Sequence, residues 1–265
     1  MRARVNQVDI AYDDHGIGQP VIFLHAFPLN RNMWSDVTTA LLQEKRFRLV
    51  APDWRGFGES EINGEQFTME LLADDVAALM DTLGMQQAVL CGLSMGGYAA
   101  FAFLRKYPER VGGLILSDTR PDADTQEGKA NREKVAQLAE QQGSEAIADF
   151  QLPRVISDYT RQHHPEIEAR IRHMIYAATP TGIAAASRGM GLRPDSTDLL
   201  ARIACPTLVI VGEHDGPVPP DVAREYAAKI PGARFAMILE AGHVSNLEQP
   251  EAFLKAVREF LLTHY

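Results

Sequence analysis

Short apolar runs along the chain alternate with stretches in which apolar residues recur every three or four positions. Val5 to Tyr12 alternates in a strand-like way, and Gly16-Ile17-Gly18 supplies a turn before the continuous run Val21-Ile22-Phe23-Leu24. A run of that kind suits a strand buried on both faces. Phe47–Ala51, Ala88–Leu90, Leu114–Leu116, Thr207–Val211 and Phe235–Leu239 read as further strands. Between them lie helical patterns. Trp34–Leu42 is one, and Met69, Leu72, Val76, Leu79, Met80 and Leu83 mark the face of another, with Gly84 placed to end it. A small-residue stretch runs from Ala99 to Tyr107-Pro108, Asp221–Lys229 follows later, and Phe253, Leu254, Val257, Phe260 and Leu261 define a closing helix with Pro250 in its first turn. Strands alternating with helices imply an α/β protein with a mainly parallel sheet covered on both faces. The opening strand pair, with its short turn, is expected to be antiparallel.

The rhythm stops after Asp118. From Thr119 to about Asp198 no strand is evident, only helical stretches such as Ala130–Gln141 and Glu166–Ala178, and Pro180, Gly182, Gly189, Gly191 and Pro194 punctuate the second half. This block is expected to be a helical lid (119–198) inserted into a core made of 1–118 and 199–265. Its expected place is over the C-terminal edge of the sheet, where open α/β sheets bind ligands.

Composition narrows the reading without redirecting it. The 265 residues are 46% hydrophobic and 23% charged, ordinary values for a chain with a sizeable core. A net charge of −9 and the lack of a basic run argue against nucleic acid or an anionic membrane as partner. Cys91 and Cys205, the two cysteines, form no C-x-x-C pair and read as small core residues. No apolar run reaches the ~18 residues of a membrane span. Met1 to Asn6 leads into polar alternation with no apolar segment of the secretory kind, so a cytoplasmic location is expected. Oligomeric state is not fixed by any of this.

The chemistry concentrates in Cys91-Gly92-Leu93-Ser94-Met95-Gly96-Gly97, between a strand-like and a helix-like run. Gly-x-Ser-x-Gly alone is a weak pattern; its setting sharpens it. A strand that turns sharply into a helix exposes the apex side chain, and glycines two positions either side relieve the crowding. A serine hydroxyl needs a base oriented by a carboxylate. Among eight histidines, His243 follows the last strand and so lies at the same sheet edge as Ser94. Asp215 follows Thr207–Val211 at that edge, with Glu213 a local and Asp118 a distant rival for the acid. Two amide donors should receive the oxyanion formed in acyl transfer. The Met95 N–H is one; in His25-Ala26-Phe27-Pro28 the proline has none, so Phe27 is favoured, with Ala26 as rival. The His25 side chain is expected to buttress its loop. His163, His164 and His173 lack the i, i+4 pairing of a helical metal site, and no metal is expected.

Together these segments resemble the serine branch of the α/β-hydrolase superfamily. His25-Ala26-Phe27-Pro28 is similar to its His-Gly-x-Pro oxyanion loop, with alanine for the usual glycine. Asp53-Trp54-Arg55-Gly56-Phe57-Gly58-Glu59-Ser60 is similar to its Asp-x-Arg-Gly-x-Gly-x-Ser segment, a structural signature. Gly92–Gly96, Gly212–Asp215 and Gly242-His243 match the nucleophile, acid and histidine segments in order. The resemblance implies a mostly parallel eight-stranded sheet, a Ser94–Asp215–His243 triad, no cofactor, and small ester or lactone substrates. Ala26, Trp34, Val218 and Val244 are expected at the substrate pocket. Serine, where dehalogenase and epoxide-hydrolase relatives carry aspartate, implies an acyl-enzyme. Among the family's activities the chain most resembles small bacterial carboxylesterases. Enol-lactone hydrolases and cofactor-free haloperoxidases or perhydrolases are the alternatives, and a ligand-binding receptor on the same fold is a third.

Overall fold

The computed structural model describes residues 1–64 and 66–265. Its eight strands are β1 (Arg2–Val5), β2 (Val8–Gly16), β3 (Gln19–Leu24), β4 (Phe47–Pro52), β5 (Ala88–Leu93), β6 (Val111–Ser117), β7 (Thr207–Gly212) and β8 (Arg234–Ile238). They form one sheet in the order β1-β2-β4-β3-β5-β6-β7-β8. β1–β2 and β2–β4 pair antiparallel, and every pair from β4 to β8 is parallel. All six residues of β5 and of β7 are buried, as the unbroken apolar runs require of strands covered on both sides.

The helices are α1 (Ser35–Leu41), α2 (Met69–Thr82), α3 (Met95–Lys106), α4 (Gln126–Val155), α5 (Asp158–His163), α6 (Pro165–Tyr176), α7 (Pro180–Gly191), α8 (Pro220–Ala228), α9 (Ser245–Glu248) and α10 (Pro250–His264). They cover both faces, as the alternation within β3 shows. Phe23 points to Trp34, just before α1, which in turn packs on Phe253 of α10. The next residue, Leu24, faces Gly96 of α3. Each of those aromatic side chains is fully buried and contributes roughly 1.5–3 kcal/mol or more by leaving water.

Two local readings are corrected. The stretch Val5–Tyr12 is not one strand: Asn6 and Gln7 take left-handed φ values of 41° and 65° and turn the chain into the β1–β2 hairpin. The strands on either side of Gly16-Ile17-Gly18 do not pair with each other, because β4 lies between them. The turn crosses the start of β4 so closely that a Cβ on Gly16 or Gly18 would overlap the Phe47 or Arg46 carbonyl, and both glycines have positive φ.

Between β6 and β7 the chain forms a block of helices, α4 to α7, followed by a short 3-10 turn at Thr197–Arg202. α4 breaks at Gly143, whose φ of 80° is not helical. α7 was obscured in the sequence by its glycines and proline. Pro180 stands in the first turn, where a missing N–H costs nothing, and the glycines let the helix press on the core. A Cβ on Gly182 would overlap the Gly56 carbonyl, and one on Gly189 the Phe67 carbonyl. Arg188 pairs with Glu133 and Glu140 to fasten α7 to α4, and Arg170 of α6 reaches Asp36 of α1 at 2.5 Å.

Beneath the block, Asp53 is fully buried and accepts from the Arg31 backbone N–H at 2.7 Å, the Glu59 N–H at 2.9 Å and the Arg31 guanidinium. Arg55 and Asp75 form a buried two-point ion pair at 2.6 and 2.7 Å. Asp53 and Arg55 thus tie the Asp53–Ser60 segment to Arg31 and Asp75 outside it. Among the described residues no helix is long and apolar enough to cross a membrane.

Candidate active site

The ends of β3, β5, β6, β7 and β8 meet at one edge of the sheet, and each delivers a polar residue there. Ser94 sits between β5 and α3 with φ 54° and ψ −112°, a conformation that L side chains rarely adopt. Four bonds hold it. Its N–H donates to the Ser117 carbonyl at 3.0 Å, and its carbonyl accepts from the Thr119 hydroxyl and the Gly97 N–H, both at 2.9 Å, and from the Tyr98 N–H at 3.1 Å. The flanking glycines are demanded by contact: a Cβ on Gly92 would overlap the Gly96 carbonyl, and one on Gly96 the Leu24 carbonyl.

His243, on the loop after β8, lies between Ser94 and Asp215. Its Nε2 is 2.8 Å from Ser94 Oγ, and its Nδ1 is 2.9 Å from each Asp215 carboxylate oxygen. With the Nδ1 proton directed at Asp215, Nε2 is left to accept from the serine hydroxyl. Asp215 is itself aimed by the Val218 N–H, 2.8 Å from Oδ1. Burial pushes the imidazole's pKa down, but the Asp215 charge and hydrogen bond outweigh it, and the net value lies above that of an ordinary histidine.

The rival acids are occupied elsewhere. The Glu213 carboxylate accepts from the Glu240 N–H at 3.0 Å. Asp118, fully buried at the end of β6, accepts from the Gly212 N–H at 2.8 Å and is hydrogen-bonded through Oδ2 to the hydroxyls of Ser117 and Ser245 at 2.7 and 2.5 Å. Burial, and after it the Asp215 charge, pushes the Asp118 carboxyl up to about 8.

Of the two expected donors, Met95 directly follows Ser94, and Phe27 lies on the loop after β3, whose last residue, Leu24, is in register with Gly92. The Ala26 N–H is engaged by Met33 Sδ at 3.2 Å, whereas among the described residues neither the Phe27 nor the Met95 N–H has a protein acceptor. The His25 ring supports that loop from below. Fully buried, it accepts from the Trp54 N–H at 2.9 Å through Nε2 and donates through Nδ1 to the Ala26 carbonyl at 2.9 Å. Burial lowers its pKa to about 4, which keeps it neutral and committed to that support.

Of the four residues expected at the pocket, Ala26, Val218 and Val244 are buried near these loops. Trp34 is buried between Phe23 and Phe253, with its indole N–H unpaired. A cavity of about 650 Å³ opens where the helical block meets the acid loop, lined by Arg154, Ile156, Tyr159, His214 and Pro217 among others. None of the four lines it. Among the described residues no three His, Cys, Asp or Glu side chains gather as metal ligands would.

Three partners escaped the sequence reading. Ser245 bonds Asp118, Asn246 donates to the Met33 carbonyl at 2.8 Å, and Glu248 accepts from the Gly242 N–H at 2.9 Å. The available signal was Ser-Asn-x-Glu starting two residues after a candidate base and ending two before a proline: polar residues at a sheet edge where solvent has little access.

A strand–serine–helix turn, a histidine loop and an acid loop on a mostly parallel sheet define an α/β hydrolase. The chain belongs to that family: the alpha/beta hydrolase fold matches residues 19–170 and 177–250. It is 32% identical over 253 residues to 3-oxoadipate enol-lactonase 2 of Acinetobacter baylyi, covering 94% of this chain and 92% of that protein. Among solved structures, a thermophilic esterase from Thermogutta terrifontis with malate bound superposes with a TM-score of 0.96 at 45% identity, over 100% of this chain and 99% of the other. The enol-lactonase from Burkholderia xenovorans LB400 gives 0.91 at 32% identity, over 99% and 100%.

Proposed function

We propose that the chain is a serine carboxylesterase that cleaves small esters through an acyl-enzyme on Ser94. The observation that carries this is the line of Asp215, His243 and Ser94, at 2.9 and 2.8 Å, with the N–H groups of Phe27 and Met95 left without a protein acceptor among the described residues. In this mechanism His243 Nε2 takes the Ser94 proton as Oγ attacks the ester carbonyl. The two amides receive the oxyanion, and the Asp215 carboxylate stabilises the imidazolium. His243 then returns the proton to the departing alcohol. It next draws a proton from water, which attacks the acyl carbon, and returns that proton to Ser94 Oγ as the acid departs. The helical block, 119–198, is the lid of this site and sets which acyl groups enter.

The likeness to an esterase at 45% identity favours simple esters. The enol-lactonase relatives at 32% favour a second reading, opening of a cyclic ester by the same steps. Rates on a panel of p-nitrophenyl esters against a panel of lactones separate the two. Ser94→Ala is expected to lower turnover on the better substrate by about 10⁴ or more. Hydrolysis at the unaltered rate in that variant overturns both readings.

A further inference from the structure

All four residues of the single-turn helix α9 are buried, and three of them are polar. A buried carboxylate is costly unless donors surround it. Glu248, 2% exposed, has four. Oε1 accepts from the Gly242 N–H at 2.9 Å and the Val244 N–H at 3.4 Å. Oε2 accepts from the Ser157 N–H at 2.9 Å and the Thr160 hydroxyl at 2.8 Å. The first pair flanks His243 on either side; the second belongs to the corner between α4 and α5. Two more bonds cross the same seam, from the His243 N–H to the Val155 carbonyl at 2.8 Å and from the Ser157 hydroxyl to the Glu240 carbonyl at 2.7 Å. Here the backbones touch: a Cβ on Gly242 would lie 2.8 Å from both Ser157 N and Val155 O.

We propose that Glu248 is a positioning residue for His243, clamping the backbone on both sides of the histidine to the α4–α5 corner so that the imidazole stays in line between Asp215 and Ser94. The proposal rests on the reading of His243 as the base. The carboxylate touches no reacting atom and acts through the two amides that flank the histidine. Its reach explains why one side chain can serve both segments. The two oxygens face opposite partners, and the chain distance from Glu248 to Ser157 is 91 residues.

The charge of Glu248 also bears on His243. Asp215 on the acid loop and Glu248 on α9 raise the imidazole's pKa against the lowering by burial, and Asp118 at the end of β6 adds to them only once it ionises. The charged side chains of the α4–α5 corner, Arg154 and Asp158, are turned to solvent, so the corner meets the histidine through backbone alone.

Glu248→Gln keeps the size and one acceptor but sets an NH₂ against the Gly242 or the Ser157 N–H. On p-nitrophenyl acetate it is expected to lower kcat about tenfold to a hundredfold, with KM within about twofold. Phosphonylation of Ser94 by a fluorophosphonate should slow by the same factor. The acid limb of the pH–rate profile should move to lower pH, which a merely structural role would not cause. Thr160→Val removes one donor at the corner and keeps the charge, so kcat should fall about threefold to tenfold with the acid limb in place. Wild-type kcat, labelling rate and acid limb in Glu248→Gln overturn the clamp. If that variant fails to fold, Thr160→Val decides alone: a fall in kcat at constant KM supports the clamp, and wild-type kcat overturns it. Ser94→Ala run alongside keeps the two ideas apart. An inactive Ser94→Ala beside an unimpaired Glu248→Gln removes the clamp only; an active Ser94→Ala removes the acyl-enzyme reading and the clamp with it.

Discussion

The Ser245 hydroxyl donates to Asp118 Oδ2 at 2.5 Å, joining the residue two places beyond His243 to the end of β6. Asp118 also accepts from the Gly212 N–H, so one buried carboxyl braces the acid loop and the histidine loop together.

That carboxyl carries a pH signature. Pushed to about 8 by burial and then by Asp215, it keeps its proton in the folded chain between about pH 4 and 8, where the unfolded chain has lost it. The native state then binds more protons, so this contribution to stability is full below about pH 4 and is lost as pH rises through 8. Asp118→Asn is neutral throughout, with a carbonyl for Gly212 and an NH₂ for the serine oxygens. Thermal unfolding should show the wild type losing more stability than the variant between pH 5 and 8. Parallel curves contradict the assignment.

On the proposed mechanism, the acid limb of hydrolysis should report His243. A base must be neutral, and this imidazole's pKa lies above the ordinary value because Asp215 outweighs burial. kcat/KM for p-nitrophenyl esters should therefore rise with pH through a midpoint above about 6.5. Asp215→Asn should shift that midpoint down and reduce the rate by about 10⁴. A midpoint below 6 in the wild type speaks against the arrangement.

His25 predicts the opposite slope in stability. Its folded pKa, lowered by burial to about 4, lies below the unfolded value, so the unfolded state binds more protons between about pH 6.5 and 4. Stability from this residue is full above pH 6.5 and is lost as pH falls through 4, by about 3 kcal/mol. Urea titrations at pH 7 and 4.5 should find that much less acid sensitivity in His25→Gln, together with about 1–3 kcal/mol lost at both pH values if the Trp54 N–H is left without its acceptor.

Gly96→Ala brings a methyl group onto the Leu24 carbonyl, and backbone on both sides leaves little room to yield. The expected cost is about 1–3 kcal/mol or more. Because Leu24 leads directly into the Phe27 loop and Gly96 follows Met95, the overlap should also spread the two amides. Ester turnover should then fall by more than the folded fraction does, as circular dichroism and kinetics on the same sample will reveal.

The sheet and the three central residues were legible because each depends on local pattern. Unbroken apolar runs mark the buried strands, and Ser94, Asp215 and His243 come at or on the loop after the ends of three of them, at the edge where a parallel sheet gathers its loops. The hairpin at Asn6-Gln7 was hidden because alternation continues through it. α7 was hidden because Gly182 and Gly189, which read as breakers, permit close approach to Gly56 and Phe67. Asp118 and Glu248 were opaque for another reason. Their partners lie up to 127 residues away, and a carboxylate's role is set by the donors that surround it, which only the folded chain assembles.

The seam between Val155–Thr160 and the histidine loop also sets where the molecule can be recombined. Exchanging residues 119–198 for those of a relative transplants the Ser157 and Thr160 donors and the Val155 carbonyl, yet leaves Glu248, Gly242 and His243 with the recipient. A graft of residues 126–152 and 165–191 carries α4 up to its last turn, with α6 and α7, while the corner stays native. On the proposed reading, substrate range and chemistry should therefore separate along a boundary that runs inside the helical insertion, not at its ends.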